Sequence, residues 1–159
     1  MALVGRLHTN DTVGAIARLG DLGVPPFLAA ATLTGALSQR LVRNVCSGCA
    51  KDVVLTADEV SELRVTHPEE HAGKLLARRG VGCAKCRYTG YYGRSGIFEV
   101  LGVNARLRRL ISENASPEAL GRTARQDGLR SLREHAVAKV AAGVTSLEEA
   151  LRVTADAER

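Results

Sequence analysis

Four cysteines, the only ones in 159 residues, stand as two pairs, Cys46-Ser47-Gly48-Cys49 and Cys83-Ala84-Lys85-Cys86. Sulfurs at i and i+3 on a tight turn converge on one point, and two such turns complete a tetrahedral four-thiolate site. A site of that kind leaves no open position on the metal, so its chemistry is structural, and zinc is the ion it suits. Ser47 and Gly48 suit a knuckle whose amides turn back towards the sulfurs. The 33 residues between the pairs exceed the commonest zinc-ribbon spacing. Two disulfides, a redox Cys-x-x-Cys and four unrelated buried thiols are the alternatives to the metal. His67 and His71, four residues apart, read as exposed helix residues and not as ligands.

Composition narrows the class of protein. The formal net charge of +5 comes mostly from arginine, with acids and bases interspersed, which reads as a solvated surface and not as a nucleic-acid stripe. Aromatic residues are 3% of the chain and tryptophan is absent, so the core is expected from Leu, Val, Ile and Ala. No stretch reaches the roughly 20 apolar residues that span a bilayer. The longest candidate, from Val24 to Leu37, is interrupted by Pro25 and Pro26. The first residues lack a signal-peptide pattern, and the expected compartment is the reducing cytoplasm, where paired Cys-x-x-Cys means metal. The sequence contains no Gly-x-x-x-x-Gly-Lys-Ser/Thr phosphate cradle.

The second cysteine pair runs into Arg87-Tyr88-Thr89-Gly90-Tyr91-Tyr92-Gly93-Arg94-Ser95-Gly96-Ile97-Phe98-Glu99. With Leu7-His8-Thr9-Asn10-Asp11, Ser38-Gln39-Arg40-Leu41-Val42-Arg43 and Gly128-Leu129-Arg130-Ser131-Leu132-Arg133-Glu134, this resembles the type II secretion and type IV pilus assembly ATPases (general secretion pathway protein E and its pilus relatives). The resemblance covers residues 3 to 154, with the motifs in family order. It implies an α/β remnant of a RecA-like P-loop ATPase core with an inserted tetracysteine zinc subdomain and a C-terminal, mainly helical subdomain. The implied divisions are 1–45 for the distal end of the core, 46–93 for the zinc subdomain, 94–154 for the helical subdomain and 155–159 for a frayed tail. The family's phosphate-binding and magnesium-binding elements lie upstream of its histidine box, so the chain reads as a C-terminal fragment of a hexameric motor, inactive alone.

The same resemblance assigns His8 to the nucleotide pocket, where a strand-terminal imidazole can donate to a phosphoryl oxygen. On the residues alone, His8, Thr9 and Asn10 simply end a strand and cap a helix. Gln39 and Arg40 are implied at the edge of that pocket, and Arg94 is read as structural or intersubunit. ATP with Mg²⁺ is the implied cofactor of the complete family protein only. The implied partners are full-length ATPase subunits and the cytoplasmic face of an inner-membrane platform protein, which places the chain in the cytoplasm, peripheral to the inner membrane. No nucleic acid is expected. The rival reading is a free-standing zinc ribbon that binds nucleic acid or protein; the dilution of arginine by acids along the chain argues against nucleic acid.

The elements that must position these residues follow from local signals. Residues 2–7 read as a short buried strand, and Thr9, Asn10 and Asp11 offer caps for a helix from Thr12 to Leu22. Gly23 to Pro26 breaks the chain. A second helix is expected from Pro26 to Arg43, with Leu33, Leu37, Leu41 and Val45 on one face. Thr56 and Glu59 form a capping box for a helix over Ala57–Arg64, with another after Pro68. Residues 96–101 read as a strand. Beyond them come a stripe of Val103, Leu107, Leu110 and Ile111, an N-cap at Ser116 before Pro117, and capping boxes at Ser131/Glu134 and Thr145/Glu148.

Overall fold

The computed structural model describes residues 4–63 and 76–155. The expected helix after Pro68, His67 and His71, and all of the expected tail except Ala155 fall outside them. The chain divides into two compact units, Met1–Ser38 with Glu99–Arg130 and Gln39–Phe98 with Ser131–Arg159. Two long strands, β1 (Gly35–Val45) and β4 (Tyr91–Gly102), contribute residues to both and pair as a two-stranded sheet. Thr34 accepts from the Val103 amide (3.0 Å) at one end and the Cys46 amide donates to Gly90 (2.9 Å) at the other, so the strands run antiparallel.

Strand β1 overturns the helix expected through Arg43. Helix α2 (Pro26–Thr32) stops at Leu33, whose backbone is already extended (φ −70°, ψ 122°). The leucine recurrence behind the expectation has a period of four, which two strand repeats also satisfy. Leu37 and Leu41 therefore share a face of a strand, where both are exposed, and Val42 is the residue buried. What decides is a partner strand more than 45 residues away, which no local signal reveals. Of the strand expected at 2–7, the described part forms none: residues 4–9 have no regular structure, and residues 2 and 3 lie outside the described residues.

The first unit is helical. Helix α1 (Thr12–Asp21) starts at Asp11, whose Oδ1 accepts from the Gly14 amide at 2.6 Å. Thr12 adds a second anchor, donating its amide (2.8 Å) and its hydroxyl (2.5 Å) to the buried carboxylate of Glu99. A carboxylate beside the first turn satisfies an orphan amide and meets the positive end of the helix dipole. Helix α4 (Ala105–Ser112) is capped by Asn104 and α5 (Pro117–Gln126) by the expected Ser116, and both close a core of Ile16, Ala29, Leu107, Ile111 and Leu120.

The second unit pairs β2 (Ala50–Val54) with β3 (Leu76–Gly80), with Lys51 opposite Arg79 and Val53 opposite Ala77. Helix α3 (Ala57–Glu62) begins at the expected Thr56/Glu59 capping box. Helices α6 (Leu132–Ala141) and α7 (Leu147–Thr154) bury Leu132, Val140, Leu147 and Ala150 with Val42 and Ile97. The Ser131/Glu134 box stands as expected, whereas the last cap moves one residue: Ser146 Oγ accepts from the Glu149 amide, and Thr145 instead donates to the Arg43 carbonyl (2.8 Å).

That shift frees Glu149 to become the buried node of the unit. Its fully buried carboxylate accepts from the Arg43 amide (3.0 Å), Arg43 Nη2 (2.7 Å) and Arg152 Nε and Nη2 (2.8 and 2.7 Å). Arg43 also lies over the Tyr91 ring (4.1 Å), and the Tyr91 hydroxyl meets Ser146 Oγ at 2.7 Å. Burial opposes ionisation of Glu149, but the donors from Arg152 and Arg43 outweigh it and bring the carboxyl down to about 2. A folded-state value below the ordinary one means the contribution is fully present above the unfolded value and is lost as pH falls towards 2. Stability should therefore decline between about pH 4.5 and 2 with a slope that Glu149→Gln removes. The variant should cost about 2–3 kcal/mol at neutral pH, since the arginines are half exposed, as read by urea unfolding.

Candidate metal centre

The second Cys-x-x-Cys is a single 3₁₀ turn, Ala84–Cys86, capped by Cys83. Cys86 and Tyr88 amides both return to the Cys83 carbonyl (3.2 and 2.9 Å), and Arg87 and Tyr88 close the turn in the left-handed region (φ 51° and 62°). The first pair leaves the end of β1: the Cys49 amide donates to the Cys46 carbonyl, and the Cys49 carbonyl accepts from Val81 next to β3 (both 3.1 Å). The two knuckles are thus stitched together by main chain, independently of the sulfurs.

The sulfurs converge. All four Sγ atoms lie within 4.8 Å of one another, with Cys46–Cys83 at 3.9 Å and Cys49–Cys86 and Cys83–Cys86 at 3.8 Å. A tetrahedron with metal–sulfur distances of about 2.3 Å has edges of about 3.8 Å, so the residues fit a four-thiolate ion. They do not fit disulfides, which bring sulfurs to about 2.05 Å; all four cysteines are free. Amides of Gly82, Cys83 and Gly90 donate to sulfur, the first to Cys49 (3.3 Å) and the others to Cys86 (3.2 and 3.3 Å). Such donors stabilise thiolate. Burial resists ionisation at Cys86, yet its amide donors prevail and lower the thiol to about 6. At Cys49 burial prevails over the one Gly82 amide and pushes the thiol up to about 11.

Of the residues assigned to a nucleotide pocket, His8 is exposed in the segment leading to α1. The adjacent Asn10 carbonyl accepts from Ser38 Oγ at 3.4 Å. Gln39 is exposed, and Arg40 spends Nη1 on the Val153 carbonyl at 2.7 Å. Sequence reasoning missed the anchoring roles of Glu99 and Glu149. The first was visible only as the last letter of a motif, and the second had no signal beyond its place in a helix start.

Residues 2–152 match the family model described as "Type II/IV secretion system protein". The chain belongs to that family. Among curated proteins it is 43% identical over 151 residues to the type IV pilus assembly ATPase TfpB of Acinetobacter baylyi, covering 95% of this chain and 26% of the relative. It is 43% identical over 155 residues to the type II secretion system protein HxcR of Pseudomonas aeruginosa (98% and 29%). Against the type II secretion system ATPase E of Vibrio cholerae serotype O1 it is 41% identical over 152 residues (96% and 29%). The chain spans between a quarter and a third of the length of these relatives. As a member of the type II/IV secretion system family it is a small mixed α/β structure with four clustered cysteines, and no helix among its described residues is long and apolar enough to cross a membrane.

Two glycines set how closely the knuckles approach. A Cβ on Gly80 would strike the Gly90 carbonyl, and one on Gly90 (φ 79°) would sit 2.5 Å from the Gly80 carbonyl. Gly48, inside the first knuckle, would meet nothing closer than 3.5 Å. Gly90→Ala should therefore lower the unfolding free energy by about 2 kcal/mol or more and weaken metal retention against a chelator. Gly48→Ala should leave both within about 0.5 kcal/mol of the parent.

Proposed function

We propose that the chain is the distal segment of a secretion or pilus assembly ATPase. The identity of about 40% over nearly its whole length to proteins so named carries this reading. In it, residues 1–45 form the distal end of a RecA-like core, 46–93 a zinc subdomain and 94–154 a mainly helical C-terminal subdomain. The partners are further ATPase subunits in a hexamer and an inner-membrane platform protein, and the segment works at the cytoplasmic side of that membrane.

Cys46, Cys49, Cys83 and Cys86 hold one zinc in this reading, supported by the sulfur spacing and the amide donors. When bound, the ion supplies a covalent-strength cross-link and no reactive position. His8 borders the nucleotide pocket in this reading, with Gln39 and Arg40 at its edge, as the family resemblance implies. There His8 donates to a terminal phosphoryl oxygen, while the β- and γ-phosphates and magnesium are positioned by residues outside this sequence.

Protein purified without added zinc is expected to carry about one equivalent per chain by elemental analysis. Cys83→Ser should lose the ion and the protection of β2 and β3 amides while α4 and α5 stay protected. A folded protein with no metal would overturn the zinc reading. The isolated chain should bind nucleotide weakly and show no ATP hydrolysis, because the sequence holds no phosphate cradle. Turnover abolished by His8→Ala in the isolated chain would refute that. In a full-length relative, the matching substitution should reduce kcat by about 10²-fold or more.

A further inference from the structure

We infer that the tip of the second knuckle is a docking surface for an acidic segment of a partner protein. Between Leu76 and Phe98 there are five cations and no acid. Arg78 is paired with Asp52, and Arg79 with Glu59 and Glu148. Lys85, Arg87 and Arg94 have no carboxylate partner among the described residues. Lys85 instead lies over the Tyr92 ring (5.4 Å) and donates to Ser47 Oγ (3.3 Å). Tyr88 is 78% exposed and Tyr92 60% exposed, although tyrosine is scarce in this chain.

The backbone adds an independent argument. Arg87 and Tyr88 are consecutive left-handed residues, a conformation glycine adopts freely and side chains with a Cβ adopt at a cost of about 1 kcal/mol or more each. Large side chains kept at strained, exposed positions point to use in recognition. Tyrosine and arginine are the residue types that dominate binding hot spots, and unpaired cations select an acidic partner. Three cations without a carboxylate partner, with the neighbouring arginines already neutralised, make no row that could follow a phosphate backbone. They also fall short of the four to eight that mark a lipid-binding cluster. The inference rests on a metal-held knuckle, and metal content is measured on the same samples.

The test is an amide-shift titration of the ¹⁵N-labelled, zinc-loaded chain with a Glu- and Leu-rich peptide free of cations. Saturable shifts confined to residues 81–94 are expected, with affinity falling at least about tenfold in an Arg87→Gly/Tyr88→Gly variant. Because glycine relieves the left-handed strain, that variant should unfold at the parent's temperature or above it and retain its zinc. Binding would then be lost without loss of fold. Absent or scattered shifts, or shifts undiminished in the folded variant, overturn the proposal. Tighter binding of oligothymidine or of phosphatidylglycerol vesicles at the same residues overturns it in favour of a nucleic-acid or lipid surface. Less than one zinc per chain identifies failure of the metal reading instead.

Discussion

Two turns separated by 33 residues come to within a sulfur–sulfur contact, and the main chain, more than the sulfurs, pays the entropy of closing that loop. The register of β2 with β3 returns the chain to the first knuckle, the Val81 amide ties it to Cys49, and the Cys46 amide ties it to Gly90. The face-to-face packing of Gly80 and Gly90 leaves no room for a side chain at the crossing. With the thiols placed in this way, a metal ion would meet a site whose geometry is largely set. Its binding energy would then go into stability instead of into reorganisation.

Two buried carboxylates perform parallel tasks in the two units. Glu99 receives the first amide and hydroxyl of α1, the helix that follows the histidine segment. Glu149 gathers two guanidinium groups and the Arg43 amide, which holds the end of β1 beside α7. At Glu149 burial raises the cost of an unpaired charge, so the donors from Arg43 and Arg152 are what make the charge tolerable. Each acid also discriminates between arrangements: a slip of one residue in the strand would turn the carboxylate or its partner amide away. Within Gly96-Ile97-Phe98-Glu99, Ile97 and Glu99 are both buried, and Glu99 serves by positioning the start of α1.

The tyrosines after the second knuckle divide the same way. Tyr91 faces inward, carrying Arg43 on its ring and Ser146 on its hydroxyl. Tyr88 and Tyr92 face solvent with unpaired cations beside them. A single glycine-punctuated stretch therefore serves the metal centre, the buried ion node and the exposed tip in turn, its direction reset at Gly90 and Gly93, both left-handed.

Local chemistry was legible in the sequence wherever one turn sufficed to define it. The two Cys-x-x-Cys knuckles, the Thr56/Glu59 and Ser131/Glu134 capping boxes, Ser116 before Pro117 and the Asp11 cap all involve partners within a few residues, so spacing alone determines them. The motif order was enough to place the chain in its family. What needed the tertiary structure was everything paired at long range. Leu33 to Val45 carries a spacing that a helix and a strand satisfy equally, and only hydrogen bonding to β4 makes residues 35–45 a strand. The Thr145 cap lost to Ser146 because the Thr145 hydroxyl found the Arg43 carbonyl, 102 residues away. Nothing local marked Glu99 and Glu149 as buried; folding removed their water and supplied donors from Thr12 and Arg43 far along the chain. Side-chain type fixes which bonds are possible, but burial and partners a hundred residues apart exist only once the chain has closed.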